Sequence, residues 1–430
     1  MSAKRLKQVL KEQIKLIEPD EEEIGKISAY AEEFIRVLKE ELGKKGKGGE
    51  VFIGGSFAKG TMLRKDLQDT DIFVRFDWKF DNLSDMLEGP VKNACKKLGL
   101  DFERMHGSRD YFRVYGKKHK SYFEIIPVTK IKKPKEERNV TDLTYFHGPY
   151  VKKKIKGKEN EVRLAKTFMQ ANGVYGAETY VRGFSGYAVE LLIIYYGVFE
   201  KMLRELVKVK KGERIVIDIE KHYKKKNEVF FEVNENKLQS PVILIDPTYK
   251  ERNALAALSR ETFELFQQKA KEFLAHPSEE FFRMKGINLE GLENEAKKNK
   301  AELIKVEIKT DKQAGDIAGT KLKKFHYVVE NEIRKYFELF KHDFIYDGKQ
   351  KADFYLIAKP KKEVIRIGPP LHMKKRVIAF KRKHIGTYEA NGMVHAKLKL
   401  NFNAKSYLDS WKKGNKILLG QMSITEMKVI

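Results

Sequence analysis

The chain has 430 residues, 41% of them hydrophobic and 34% charged, and carries 87 Lys and Arg against 61 Asp and Glu for a net charge of +26. This length and apolar content exclude a globally disordered chain and allow two to four domains, and no apolar run approaches the roughly 18 residues a membrane span needs. The surplus of positive charge favours a polyanionic partner, nucleic acid first, through counterion release.

The first residues, Met1-Ser2-Ala3-Lys4-Arg5, lead straight into a charged helical pattern and lack the apolar core of a signal peptide. Apolar residues at helical spacing over 5–43, interrupted at Pro19, predict one or two helices, followed by a Gly/Lys break at 43–49. Residues 50–53 read as a short strand. It runs into Gly54-Gly55-Ser56 and a short helix reaching about residue 63. Residues 70–77 alternate, with Ile72, Val74 and Phe76 on one face and Asp71, Phe73 and Arg75 on the other. A helix over 83–98 contains Cys95, the only cysteine, which excludes an intramolecular disulfide and any cysteine-rich zinc site and fits a cytoplasmic protein. Strands at 111–116 and 121–128 form a hairpin around the basic turn 117–120, and a basic exit at 131–140 precedes a first boundary near 150. Residues 151–275 read as mainly helical, clearest at 161–171 and 186–205, with a β-like or irregular stretch at 215–232 and another helix at 253–273. His276-Pro277-Ser278 marks a second boundary. Beyond it, 302–309, 344–358, 364–367 and 395–400 read as strands, and 317–340 and 374–383 as helices. The expected division is therefore 1–150, 151–277 and 278–430.

One constellation carries chemistry. Gly54-Gly55-Ser56 stands ahead of Asp69-Thr70-Asp71. Side chains at i and i+2 of a strand point the same way, so Asp69 and Asp71 present two carboxylates to one point. A hard cation such as Mg²⁺ takes carboxylate oxygens. The glycines allow close backbone approach to phosphate, Ser56 adds a hydroxyl, and Lys59 adds a cation about one turn later. Glu124, an acid flanked by large apolar residues in Tyr122-Phe123-Glu124-Ile125-Ile126-Pro127, is the best third carboxylate. In this order, on a basic chain, these residues point to metal-assisted nucleotidyl transfer.

The pattern Gly-Gly-Ser followed by Asp-x-Asp resembles the DNA polymerase β-like nucleotidyltransferase superfamily. Residues 155–164, 173–178, 181–187 and 246–253, with Gly368-Pro369-Pro370 near the end, resemble the archaeal-type (class I) CCA-adding tRNA nucleotidyltransferases. The resemblance implies an α+β multidomain fold. Its parts are a polymerase β-like palm with a mixed sheet, a central mainly helical domain and a C-terminal α+β RNA-binding domain. It implies Mg²⁺ held by Asp69, Asp71 and Glu124. It implies triphosphate contacts from Gly55, Ser56, Lys59, Lys166 and Tyr175, and ribose-side contacts from Thr144 and His147. It further implies that Arg252, with Asn253 beside it, reads the incoming base. The substrates it implies are CTP, ATP and tRNA, gripped at its 3′ end and acceptor/T arm, with pairing into a homodimer left open. Glu124 stands where the family usually has Asp, and Lys59 where it usually has Arg, which loses the bidentate fork. A poly(A) or oligoadenylate polymerase and a catalytically silent RNA-binding protein on the same scaffold are the alternatives. Lys397 and Lys399, with Lys374, Lys375, Arg376, Lys381, Arg382 and Lys383, are the expected tRNA phosphate contacts.

Overall fold

The structure is a computed structural model that describes residues 2–44, 48–65, 67–116, 121–284, 286–398 and 400–430. The expected turn at 117–120, Lys399 and part of the 43–49 break therefore lie outside the described residues. The chain forms two compact units, Met1–Met284 and Lys285–Ile430. Among the described residues no helix is long and apolar enough to cross a membrane.

The first unit opens with α1 (Ser2–Ile17) and α2 (Glu21–Lys44), separated at Pro19. Then come β1 (Glu50–Ile53), α3 (Gly55–Lys59), β2 (Gln68–Phe76), α4 (Leu83–Leu98), β3 (Asp101–Met105), β4 (Tyr111–Tyr115) and β5 (Ser121–Thr129). The five strands form one mixed sheet in the order β1-β2-β5-β4-β3, parallel only between β2 and β5. Alternation decides its two faces. Ile72, Val74 and Phe76 of β2, Phe112 and Val114 of β4, and Phe123 and Ile125 of β5 are buried under α2 and α4. The opposite face is left for Asp69, Asp71, Arg113 and Glu124. Cys95 is buried in this core as a small apolar residue.

The chain continues through α5 (Thr144–Lys154), α6 (Glu159–Ala171), α7 (Gly186–Tyr196) and α8 (Phe199–Leu206). It then makes β6 (Ile215–Asp218), α9 (Val229–Glu232), β7 (Val242–Asp246), β8 (Tyr249–Asn253) and α10 (Arg260–Ala275). A second core joins α6, α7, α8 and α10 to Leu6, Val9 and Ile17 of α1. The N-terminal helix thus packs with the helical region beyond residue 150 rather than with the five-stranded sheet. Three departures from the sequence pattern have local causes. The helical run 186–205 breaks at Gly197, which has φ +90°. The short helix α3 stops at Gly60, with φ +71°. The final helix starts only at Arg260, capped by Ser259 accepting from the Thr262 amide, because Asn253 closes β8 instead. The helical region also contains a small sheet, β6-β7-β8.

The second unit comprises α11 (Leu289–Asn299), β9 (Glu302–Thr310), α12 (Asp316–Tyr336), β10 (Phe337–Tyr346), β11 (Lys351–Pro360), β12 (Val364–Pro370) and α13 (Lys374–Lys383). It ends with β13 (Thr387–Ala390), β14 (Met393–Leu398), α14 (Ala404–Gly414), α15 (Lys416–Gln421) and β15 (Ile424–Val429). A four-stranded antiparallel sheet, β10-β11-β9-β15, packs on α12 and α14, and a separate sheet has the order β12-β14-β13. The helix expected to reach 340 ends at Tyr336, and Phe337 turns extended to begin β10. Of the basic residues expected to hold RNA, Lys397 pairs with Glu363 at 2.9 Å and Lys381 with Glu389 at 2.7 Å. Exposed pairs like these contribute little to stability.

Candidate active site

The Gly-Gly turn is built around Asp71. The Gly54 amide donates to the Asp71 carbonyl at 2.9 Å, tying the end of β1 to β2. A Cβ on Gly54 would fall 2.4 Å from the Phe73 ring, and one on Gly55 only 1.7 Å from Asp71 Oδ2. Gly55 also has φ +60°, so the position is closed to a side chain on two counts. The Asp71 carboxylate therefore lies directly against the turn that precedes Ser56.

Asp69 and Asp71 share the open face of β2, as the i, i+2 spacing requires. Glu124 joins them because β5 runs parallel beside β2 with Asp71 in register with Glu124 and Asp69 with Tyr122. Arg113, opposite Glu124 on β4, donates to Glu124 Oε1 from Nη2 at 2.8 Å and from Nε at 3.2 Å. Lys65 reaches Asp69 at 2.8 Å. These cations do not balance the acids at Asp71. Burial, then the charges of Glu124 and Asp69, push its carboxyl up to about 7 against the weaker opposing pull of Lys59 and Lys65. Burial and its acidic neighbours hold Asp71 partly protonated, and a divalent cation among these hard carboxylates would supply the charge that the protein withholds.

Beside the acids lies a balanced cluster. Glu190, on α7 and fully buried, accepts from Lys59 at 2.6 Å, Thr61 at 2.8 Å and Lys166 at 3.2 Å. Burial opposes its charge, yet Lys166 and Lys59 outweigh burial and hold its pKa below the usual range. Burial lowers the Lys166 pKa in turn, partly countered by Glu190. Tyr175, half-buried, points its hydroxyl toward Gly186, where a Cβ would come within 2.8 Å of it. Burial first, then the charges of Glu190 and Asp69, raise its pKa.

A third cluster centres on Asp246, at the end of β7 and fully buried. It accepts from Arg252 at 2.8 Å, from the Tyr187 hydroxyl at 3.0 Å, and from the Thr248 hydroxyl and amide at 2.8 and 2.9 Å. His147 Nε2 lies 2.9 Å away, and its ring stacks on Tyr187 with 3.9 Å between centroids. Burial alone would raise the Asp246 pKa, but His147 and Arg252 drive it well below the usual carboxylate range. Burial lowers the His147 pKa, against the pull of Asp246. Thr144 opens α5, with its methyl 3.5 Å from where a Gly54 Cβ would lie. Asn253 is 3% exposed, and its side chain accepts from the Leu244 and Leu255 amides and donates to the Lys237 carbonyl. Its amide is consumed in joining β8 to β7 and the following turn.

The first unit thus brings Gly55, Ser56, Lys59, Asp69, Asp71, Glu124, Lys166 and Tyr175 into one neighbourhood, with His147 and Arg252 next to it through Asp246. Lys59 is electrostatically felt by Asp71, Lys166 and His147 alike. Sequence reading gave no role to Arg113, Glu190, Tyr187 or Asp246. Glu190 had a signal: it is the single acid in the apolar run 187–196. Arg113 had none, because its partner is set by strand register.

With that geometry in place, a nucleotidyltransferase domain model matches residues 35–158, and a model of the second domain of tRNA nucleotidyltransferase matches 160–283. A CCA-adding enzyme of Nanoarchaeum equitans is 43% identical over 218 residues, which cover 50% of this chain and 53% of that one. One from Archaeoglobus fulgidus is 36% identical, covering 65% of this chain and 59% of that one. One from Methanosarcina barkeri is 30% identical over 402 residues, covering 90% of this chain and 84% of that one. The chain belongs to the CCA-adding enzyme family. It spans between half and two thirds of the length of the first two relatives. In this CCA-adding family member the two matched regions meet between α5 and α6. The carboxylates lie in the first region, and Lys166, Tyr175, Glu190, Asp246 and Arg252 lie in the second.

Proposed function

We propose that the protein adds and repairs the 3′-terminal CCA of tRNA without a template, transferring CMP twice and AMP once from CTP and ATP and releasing pyrophosphate. The observation that carries this reading is the parallel register of β2 and β5, which sets Glu124 beside Asp71 and below Asp69 at the Gly54-Gly55 turn. Family membership supports tRNA as the acceptor. Mg²⁺ bound by Asp69, Asp71 and Glu124 would supply Lewis-acid polarisation of the α-phosphate and activation of the RNA 3′-hydroxyl.

The remaining roles fall to the chain's own groups. Gly55 and Ser56 let the triphosphate approach the backbone, and Lys59 and Lys166 offset its charge. Glu190 positions both ammonium groups by holding them on one buried carboxylate. The Tyr175 hydroxyl, kept protonated by burial, serves as a phosphate donor. Thr144 and His147 contact the ribose side. Asp246 fixes the Arg252 guanidinium through Nη1, directing it to the edge of the incoming base. We give Asn253 a framework role in setting the β8 strand that carries Arg252. The division into 1–150, 151–277 and 278–430, the cytoplasmic location, the grip on the acceptor/T arm and assembly as a homodimer belong to the same proposal.

The test is direct. A tRNA transcript lacking CCA is incubated with CTP, ATP or both, and its 3′ end is read. The expected products are CC with CTP alone and CCA with both, with extension stopping there. Long oligo(A) from ATP alone would replace this reading with an oligoadenylate polymerase. RNA binding without any extension would leave only a silent scaffold.

A further inference from the structure

In the second unit, His326 and Glu330 are one helical turn apart on α12, and His342 faces them from β10, the edge strand on which α12 packs. One nitrogen from each imidazole and one Glu330 oxygen all lie within 4.8 Å of one another. His342 Nδ1 and Glu330 Oε2 are 3.5 Å apart. Ligand atoms on a tetrahedral Zn²⁺, with bonds of about 2.0–2.1 Å, are separated by roughly 3.4 Å. One edge of such a site is thus already set, and the others need to close by at most about 1.4 Å, from within 4.8 Å to roughly 3.4 Å.

The polar atoms at this point are left unsatisfied in a way that needs a reason. His326 is fully buried, and neither ring nitrogen has a hydrogen-bond partner among the described residues. Glu330 Oε2 is likewise buried without a hydrogen bond. A buried imidazole with no polar partner is costly, and so is a buried carboxylate oxygen. The surroundings do not offer one. Phe354 lies edge-on to His326 at 4.8 Å between centroids, and Phe344 closes another side. Arg334 donates to Glu330 Oε1 from Nε at 3.0 Å and Nη2 at 2.8 Å, which leaves Oε2 turned toward the two histidines. That is the arrangement of a ligating carboxylate oriented by an outer partner. His342, about a third exposed, gives the point an entry path from solvent. Of the cations near this point, Arg334 is taken up by Glu330 Oε1, and Lys323 acts against an ion because its charge reaches His326. Its ammonium also lies over the Phe344 ring, 4.8 Å from the centroid.

We propose that His326, Glu330 and His342 form a zinc site, with a fourth position open to water, that pins α12 to β10 in the second unit. Two imidazoles and a carboxylate suit Zn²⁺ better than the hard cation expected at Asp69, Asp71 and Glu124, so the two sites differ in chemistry as well as in place. The site needs no cysteine, and the single Cys95 lies in the other unit.

The experiment uses the full chain without a polyhistidine tag, stripped with chelator and kept in excess Mg²⁺ to occupy the other carboxylates. Zn²⁺ is titrated against a chromophoric chelator, and thermal stability is followed in parallel. The wild type should take up one tight Zn²⁺ per chain and gain stability from it, and Asp71→Asn should behave the same way. His342→Ala, at a partly exposed position, and Glu330→Gln, which keeps an acceptor for Arg334, should fold. Each should lose more zinc affinity than the roughly 10–100-fold that loss of an outer partner costs. A wild type that binds no Zn²⁺ under these conditions, zinc uptake that survives both substitutions, or uptake lost with Asp71→Asn would overturn the proposal.

Discussion

Asp71 and Asp246 are both aspartates on strands of the first unit, and their surroundings drive them in opposite directions. Asp246 is fully buried yet strongly acidic, because Arg252, Tyr187, Thr248 and His147 all converge on it. Asp71 keeps more contact with solvent yet is pushed up to about 7, because burial and then two neighbouring carboxylates outweigh the pull of Lys59 and Lys65. Burial therefore does not separate the two; partners do. The structure completes Asp246 from within. Asp71 is left short of positive charge at the spot where the Gly55 Cα leaves room for nothing but its carboxylate, and it must be completed from outside. A self-sufficient carboxylate suits a positioning role, and a deficient one suits a cation.

The sharpest way to break this contrast is to neutralise each acid in turn. Asp71→Asn should lower incorporation of labelled CMP and AMP by about 10³-fold or more, the scale of the several kcal/mol that a catalytic metal supplies. The folded protein should persist, since a repelled charge has been removed. An active Asp71→Asn would end the assignment. Glu190→Gln should act on stability instead. It strands Lys59 and Lys166 in a buried site, and breaking a buried pair in this way costs about 3–5 kcal/mol. A denaturation midpoint indistinguishable from wild type would mean that water or anion already compensates the lysines. Asp246→Asn should be milder. Weakening its charge-assisted bonds, each worth about 1.5–3 kcal/mol, loosens Arg252 and should lower kcat/KM for CTP and ATP alike by roughly ten- to a hundredfold. Unchanged kcat/KM for both nucleotides would detach this cluster from substrate.

Asp69, Asp71 and Glu124 were legible because alternation on a strand is a strong rule and the acids break an otherwise apolar pattern. The strand β7 was not, because Val242-Ile243-Leu244-Ile245 is a short continuous apolar run with no period to read. The polar edge strand β3 gave no signal for the opposite reason. Asn253 and Arg252 are adjacent in the chain, yet β8 sends them different ways, Asn253 to the backbone of Leu244 and Arg252 to Asp246. Partners set by register, such as Arg113 for Glu124, cannot be seen before the strands are paired. The packing of α1 with the helical region is likewise long-range, and its own amphipathic pattern says only that one face is buried.

The smallest expected effect bears most directly on the difference between the two aspartates. Asp71 has its folded-state pKa raised from 3.8 to about 7, so between these values the folded chain holds a proton that the unfolded chain has released. Stability of the metal-free protein should therefore fall as pH rises from about 4 to about 7, with the loss complete above that window. Its size should be on the order of 1–2 kcal/mol, because the shift is shared among coupled carboxylates and Asp71 keeps some solvent. Asp246 has the reverse linkage. Its depressed pKa contributes stability that is present throughout this window and is lost only in stronger acid, so it adds no slope here. Thermal melts across this range in chelator should show the decline in wild type and lose it in Asp71→Asn. Saturating Mg²⁺ should flatten the wild-type curve at its upper end, because a bound cation favours the ionised carboxylate that pH otherwise penalises. If Mg²⁺ left the slope untouched, the three carboxylates would be repelling one another for some purpose other than holding a metal.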